Sequence, residues 1–454
     1  MARLRLSLTI PGAVSLGAYE GGALAALIIA IKALPTDTVV VDTIGAASAG
    51  SITGLLAARG LLRRVDPFTL LSDAWVNNVS FKALKTHKTA SPLSADALNA
   101  MADKVLATGS LPENDPGTPQ ATPIRLSFAL GSLAGLDYSI RGLAPNAEVA
   151  ASTFLDFYGD TFDSQTTDEQ FIAGAQAAIA SGSNALGFPP KRLDRVRAHF
   201  TFGDGPVDAP EDGRYWYTDG GTVDNEPLGR SIDDAQAITT DDRRLFLLVH
   251  PNQAQPTTQP PPVWGGDKPQ PGWLRTLTHA FSMNHAQTIF GDIQRVEQVN
   301  ARLAAIEAAF PDPATQARVR GACGLGDKQR LEVEVVSPLL GPNGSVPPSE
   351  QLAGAFLFHF GGFFDIAYRQ SDFVLGYRNM AEWLRTRLST YLPGVDAGAA
   401  LERVDSRLDA VPWRNVEKGG ASLGSLSFRN KLSFFGLLLH TARVAVHDLR
   451  TGSA

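Results

Sequence analysis

Leu4, Leu6, Leu8 and Ile10 alternate with Arg5, Ser7 and Thr9, a period of two that predicts a strand with one face in a core. A glycine-bearing loop and then an apolar segment follow, so the chain opens as strand, loop, helix. A second apolar run, 39–44, ends in the small-residue turn 45–51, and residues 52–60 read as another helix. Such repetition of strand and helix predicts a parallel sheet. Further strands are expected at 124–130, 215–218, 245–249 and 331–336, spaced for an α/β sheet that carries insertions. Two segments rich in Pro, Gly, Gln and Thr, 111–123 and 251–272, predict surface loops, the second marking a boundary. Beyond it Ile289, Ile293, Val296, Val299, Leu303, Ile306 and Phe310 recur at steps of three and four, one apolar stripe on a long core or cover helix. The expected organisation is a core over 1–250, a Pro-rich loop over 251–272, and a mainly helical part over 273–454 packed on that core.

With 454 residues, 44% of them apolar, the chain can bury roughly three quarters of its unfolded surface. Its net charge of -6 argues against nucleic acid as a partner, because neutralising phosphates takes a surplus of Lys and Arg. The single cysteine, Cys323, excludes an internal disulfide framework and a multi-cysteine metal site. His279 and His285, six apart, do not share a helix face as metal ligands would, so neither a catalytic metal nor a cofactor is expected. Arg3 and Arg5 resemble the charged start of a secretory signal, but Pro11, Gly12, Gly17 and Glu20 break the apolar run that a signal needs. The apolar stretch 23–33, interrupted by Lys32, falls short of the about 20 residues of a membrane span. The expected location is therefore cytoplasmic or peripheral on a membrane, with no cleaved signal and no transmembrane helix.

Ala46-Ala47-Ser48-Ala49-Gly50 lies between a predicted strand and a predicted helix, where a nucleophile elbow lifts a serine out of a sharp turn. The turn demands tiny side chains two places before and after the serine, which Ala46 and Gly50 supply. A serine so placed faces the N-terminus of the next helix, whose free N–H groups favour developing negative charge. The loop Gly12-Ala13-Val14-Ser15-Leu16-Gly17 offers a second set of backbone donors at the end of the first strand, a candidate oxyanion hole. A dinucleotide loop would need G-x-G-x-x-G and a later acid, and this loop lacks that spacing. Asp219-Gly220-Gly221 follows Tyr215-Trp216-Tyr217, setting a carboxylate at a strand end beside two glycines that permit close approach of another chain.

In the order glycine loop, serine elbow, Asp-Gly-Gly, the chain resembles the bacterial patatin-like phospholipases. The likeness extends to Gly187-Phe188-Pro189-Pro190, to DGGTVDNEPL at 219–228, and to FGGFFDIAYRQSDFVLGYRN at 360–379. It implies a patatin-like three-layer α/β sandwich with a central, mostly parallel sheet, a nucleophile elbow and a helical C-terminal extension. It implies further that Ser48 attacks an ester carbonyl of a phospholipid or related acyl lipid, that Asp219 takes its proton, and that N–H groups of residues 12–17 hold the oxyanion. The acyl-enzyme would then be hydrolysed by water. The loop departs from the family's Gly-Gly-Gly-x-Arg-Gly, with Ala13 and Val14 for two glycines and Leu16 for the basic residue. That loss of charge motivates a second expectation, a weakly active or inactive lipid-binding or regulatory protein. A third is a Ser-Asp-His esterase using His250, which ends the 245–249 strand.

Asp224 and Glu226 read as solvated turn residues, or as neighbours that raise the pKa of Asp219 if all three converge. Asp365, Arg369, Asp372 and Arg378 alternate in sign, which predicts ion pairing on a half-exposed helix face. The tail sets Phe434, Phe435, Leu437, Leu438 and Leu439 among Arg429, Lys431 and Arg443. This pattern fits either a helix docked on the core or a peripheral membrane contact.

Overall fold

The computed structural model describes residues 3–86, 88, 91–106, 111–141, 148–200, 212–253, 272–326 and 328–451. Its strands are β1 Leu4–Ile10, β2 Val39–Ala46, β3 Ile124–Arg141, β4 Glu148–Phe162, β5 Lys191–Val196, β6 Asp212–Asp219, β7 Arg243–Val249 and β8 Glu332–Val336. They form one sheet in the order β5-β6-β3-β2-β1-β7-β8, with β4 paired to β3. The five strands from β3 to β8 along that path are parallel to one another, whereas β4, β5 and β6 pair antiparallel at the margin. The helices that matter to the site are α1 Gly17–Ala33, α2 Ala49–Leu62, α3 Asp96–Leu106, α4 Asp168–Ser181, α5 Leu228–Gln236, α6 Trp273–Ala309, α7 Ile366–Tyr391 and α8 Phe428–Thr451.

Alternation in the strands assigns the two faces of the sheet. Leu4, Leu6, Leu8 and Ile10 join Leu245, Leu247 and Val249 in the main core beneath α1 and α2. The intervening residues face α5: Thr9 Oγ1 donates to Ser231 Oγ at 2.9 Å, and Phe246 packs with Leu228 and Ala235. Arg5 and Arg244 on this second face both pair with the buried Asp42, at 3.0 and 2.6 Å. Helices thus cover both faces of a mostly parallel sheet, the α/β sandwich expected from the sequence.

The C-terminal part is built into this core. Helices α1 and α7 approach so closely that a Cβ on Gly22 would lie 1.9 Å from the carbonyl oxygen of Phe373, and one on Gly376 would lie 2.0 Å from that of Tyr19. Tyr19 Oη seals the contact by donating to Asn379 Oδ1 at 3.0 Å. Strand β8 extends the sheet from the C-terminal side by pairing with β7. Among the described residues one helical stretch, Val14–Ala33, is long and apolar enough to cross a membrane, and nearly all of its residues are buried inside the protein.

Several sequence expectations change. Strands β4 and β5 were not legible: β5 is an edge strand carrying Lys191, Arg192, Asp194 and Arg195, charges of the kind that blunt an open sheet edge. Segment 111–123 is irregular, as expected, yet it is pinned inward. Asp115 pairs with the buried Lys32 at 2.5 Å, and Gln120 takes the place of a strand partner on Val41, accepting from its N–H and donating to its carbonyl. The loop 251–272 falls largely outside the described residues. The stripe on α6 is only partly used, since Val296 and Leu303 are buried while Ile293 and Phe310 are exposed.

The charges of α7 do not pair with one another. Asp365 caps the helix, accepting from Ala367 N–H at 2.9 Å. Arg369 is buried and donates to the carbonyls of Val76 and Gly362, and Asp372 is buried and accepts from the N–H groups of Ala353 and Gly354. Burial pushes the Asp372 carboxyl up to about 7 and the Arg369 guanidinium down to about 10. Arg378 alone of the four is paired at the surface, with Glu417 at 3.2 Å. Sign alternation misled because the partners of Arg369 and Asp372 are backbone groups outside the helix, not side chains one turn away.

Candidate active site

Strand β2 ends at Ala46 and α2 begins at Ala49, leaving two residues to reverse the chain. Ser48 makes that reversal with φ 51° and ψ -127°, a conformation costly for a residue with a Cβ and characteristic of functional sites. Gly50 permits it, because a Cβ there would sit 2.4 Å from the carbonyl oxygens of both Ile10 and Pro11. Ser181, at the end of α4, braces the turn. Its Oγ accepts from Ser48 N–H and Ser51 Oγ, both at 2.9 Å, and donates to Ala129 O at 2.6 Å.

In the sheet β3 lies between β2 and β6, which brings the end of β6 to the elbow. Ser48 Oγ donates to Asp219 Oδ2 at 2.8 Å. The same oxygen accepts from Asn184 Nδ2 at 3.1 Å, and Oδ1 accepts from Gly221 N–H at 2.8 Å as Gly220 starts a short turn. Burial raises the Asp219 carboxyl to about 6, against the opposing pull of its donors Ser48, Gly221 and Asn184. Above that pH it is a carboxylate, able to accept a proton from the hydroxyl it already holds.

The loop 12–17 lies against the elbow, where a Cβ on Gly12 would be 2.7 Å from that of Ser48. Most of its donors are already engaged. Gly12 N–H goes to Asn225 O at 3.1 Å, Ser15 N–H to His359 O at 3.0 Å, Leu16 N–H to Ala13 O at 2.9 Å, and Gly17 N–H back into the turn. Ala13 and Val14 are left without an acceptor among the described residues, at the start of a helical turn where such N–H groups point outward. Val14 sits at φ 52°, unusual for a β-branched residue. It lines, with Ser48, Ala49, Ile52, Trp75, Leu98, Asn184, Phe188 and Phe363, an apolar cleft over the serine. The arrangement can present a nucleophile, a base and outward backbone donors to one carbonyl in a water-poor site.

Asp224 and Glu226 are not solvated. Both are buried, and burial lifts each to about 7, aided by Asp292 for Asp224 and by Asp224 for Glu226. They do not account for the raised Asp219, whose shift comes from its own burial. The turn folds back because Asn225 holds Gly12 with its carbonyl and donates from its side chain to Glu226 at 2.6 Å. His250 lies 3.6 Å from Glu226 and accepts from Asn252 N–H. Burial, with His359 nearby, lowers it to about 4, and it makes no hydrogen bond to Ser48 or Asp219 among the described residues.

Residues 8–230, spanning loop, elbow and Asp-Gly-Gly turn, match the family model of the patatin-like phospholipases. The chain carries a patatin-like phospholipase domain. The match to that family over residues 8–230 suggests lipid acyl hydrolase chemistry. No curated protein matches the chain. The patatin-like match ends within α5, yet part of the cleft comes from beyond it. Phe363 forms one wall, and Ser15 Oγ donates to His359 O while accepting from Gly362 N–H at 3.0 Å. Leu357, Phe358 and His359 run through successive left-handed conformations, φ 54°, 54° and 68°, to deliver that carbonyl. Replacing Ser15 with Ala is expected to lower kcat on a small ester about tenfold, with a stability loss of about 1 kcal/mol as for one hydrogen bond. Steady-state kinetics and thermal melting check this.

Sequence reasoning overlooked Asn184, Ser181, Trp75 and Phe363. Asn184 stands three residues before the quoted Gly187-Phe188-Pro189-Pro190, so that motif pointed to the right segment without singling out the amide. Ser181 and Trp75 carry no local signal, since their roles exist only after segments distant in sequence are packed together.

Proposed function

We propose that this protein is a serine lipid acyl hydrolase that cleaves carboxylic esters of phospholipids or related acyl lipids through a Ser48–Asp219 dyad. The observation that carries the reading is the 2.8 Å hydrogen bond from Ser48 Oγ to Asp219 Oδ2 at the foot of an apolar cleft. Ser48 Oγ attacks the ester carbonyl as Asp219 takes its proton, and the oxyanion is held by the N–H groups of Ala13 and Val14, with Ala49 at the start of α2. Collapse breaks the ester C–O bond, Asp219 returns the proton to the leaving alcohol, and water repeats the sequence on the acyl-enzyme. Ile52 lines both this cleft and a second apolar cavity formed with Leu55, Met101, Ala102 and Ala178, which supports an acyl chain as the group bound beside the serine.

A fluorophosphonate should add one mass increment at Ser48 and none to Ser48→Ala; a wild-type protein that neither labels nor turns over an ester is instead a lipid-binding member of the fold. The base must be ionised to work, so the rate on a soluble ester falls as pH drops through about 6, approaching about tenfold per pH unit below it. A pH–rate profile free of an acid limb between the ordinary carboxyl range and neutrality sinks the assignment of Asp219 as base.

A further inference from the structure

Helix α8 presents a continuous apolar stripe to solvent. Phe428, Leu432, Phe435, Leu439, Ala442, Val446 and Leu449 follow one another at alternating steps of four and three, the spacing of a helix seam meant to be covered. Their exposure is high: 77% for Phe428, 60% for Phe435, 66% for Leu439 and 84% for Leu449. The opposite face of α8 is already partnered, with Val444 buried and Phe434 packed on Phe364 at 6.1 Å between ring centroids.

The charges beside the stripe decide what covers it. Arg429, Arg443 and Arg450 run along one flank with Gly436, and Lys431, Leu438 and Ala445 along the other; Asp448, the one acid of the helix, belongs to neither. A second copy packing seam to seam would set Arg against Arg or Lys, with no acid to pair them. An anionic lipid surface offers the opposite charge to a helix that is basic within a chain of net charge -6.

Position links this face to the cleft. Phe364, on which α8 rests, follows Phe363 in the cleft wall. The segments that build that wall also carry outward apolar side chains: Leu186, 63% exposed, stands between Asn184 and Phe188, and Phe358, 62% exposed, leads into Phe360–Phe364. We infer that the outer face of α8 is a docking surface for an anionic phospholipid membrane and seats the protein with its cleft beside the bilayer. As an account of substrate delivery it rests on the proposed lipid hydrolase reading; as an account of binding it stands apart from turnover.

The test uses full-length Ser48→Ala protein, so that vesicles remain intact, and co-sedimentation with vesicles of phosphatidylcholine alone or mixed equally with phosphatidylserine. The mixed vesicles are expected to bind at least about tenfold more tightly than phosphatidylcholine alone, with binding weakened by salt. Phe435→Glu with Leu439→Glu is expected to lose about tenfold or more, and Arg443→Glu to lose selectivity for the anionic lipid. Phe154→Glu, at an exposed aromatic of β4, should leave binding as it was. Circular dichroism and melting verify each fold, with Leu439→Gln as a milder substitute should the double change misfold. Equal binding by the α8 variants and the parent overturns the proposal, as does failure of the parent to bind either vesicle. A dimer in sedimentation equilibrium that the α8 changes dissociate overturns it in favour of a second copy. If vesicles bind as expected but wild-type protein hydrolyses no ester, the hydrolase reading fails and the docking surface remains.

Discussion

Ser48→Ala lowers hydrolysis of a short-chain nitrophenyl ester by about a thousandfold or more, the scale of loss when a covalent nucleophile is removed, while the melting curve stays close to that of the parent. Ser48 contributes little packing: its Oγ has Asp219 as partner, and the backbone anchors of the turn, Ser181 and Ile10, survive the change. Asp219→Asn causes a comparable loss, since an amide cannot take the proton; its size fits the site and its oxygen can still accept from Gly221 N–H, while its NH2 replaces the oxygen that accepts from Asn184. His250→Ala, by contrast, stays within a few-fold of wild type, because His250 is held on Glu226 and Asn252. Equal loss at His250 would replace the dyad with a triad. The comparison needs all three variants assayed side by side with a check of fold.

Gly22→Ala is expected to be strongly destabilising, because the core has no room there for a single methyl. The new Cβ would lie 1.9 Å from Phe373 O, 2.8 Å from Phe373 C and 3.0 Å from Tyr377 N, all backbone atoms of α7 that no rotamer can withdraw. Helices α1 and α7 must separate, loosening Phe373 and Tyr377, both fully buried, and the Tyr19–Asn379 hydrogen bond. A cost of about 3 kcal/mol or more follows, at the upper end for overpacking, read as a fall in Tm or in the denaturant midpoint. Gly60→Ala is the matched control within α2. Its Cβ would meet nothing closer than 3.4 Å, and the better helix propensity of Ala should hold or slightly raise stability, by under about 1 kcal/mol. If the two substitutions prove equally mild, the α1–α7 contact is not as close as described.

Legibility in the sequence followed the range of the forces involved. Strand β1 and the βα order were readable because a buried face imposes alternation within seven residues. The short elbow 46–50 was readable because a tight turn restricts residue size locally. Strand β4 was not, since its ribbon with β3 leaves residues such as Phe154 exposed and so imposes no clean period. Asp224, Glu226, Arg369 and Asp372 look like surface charges in any window of sequence, and their burial depends on Asn225 reaching Gly12 and on α7 meeting residues 353–354. Phe363 lay inside a stretch marked by resemblance, but that it walls the cleft follows from the packing of the short helical turn Gly361–Phe364 against the loop 12–17.

The tie between Ser15 and residues 359–362 also bears on the order in which the molecule is made. A nascent chain that has emerged as far as β7 already contains Ser48, Asp219 and the whole of the family match, but not the carbonyl and N–H that hold Ser15. The loop beside the nucleophile is fixed only when much later sequence folds back onto it. Synthesis therefore has a built-in delay between having the reactive side chains and having their finished surroundings, and a fragment cut at the domain match would be arrested on the early side of it.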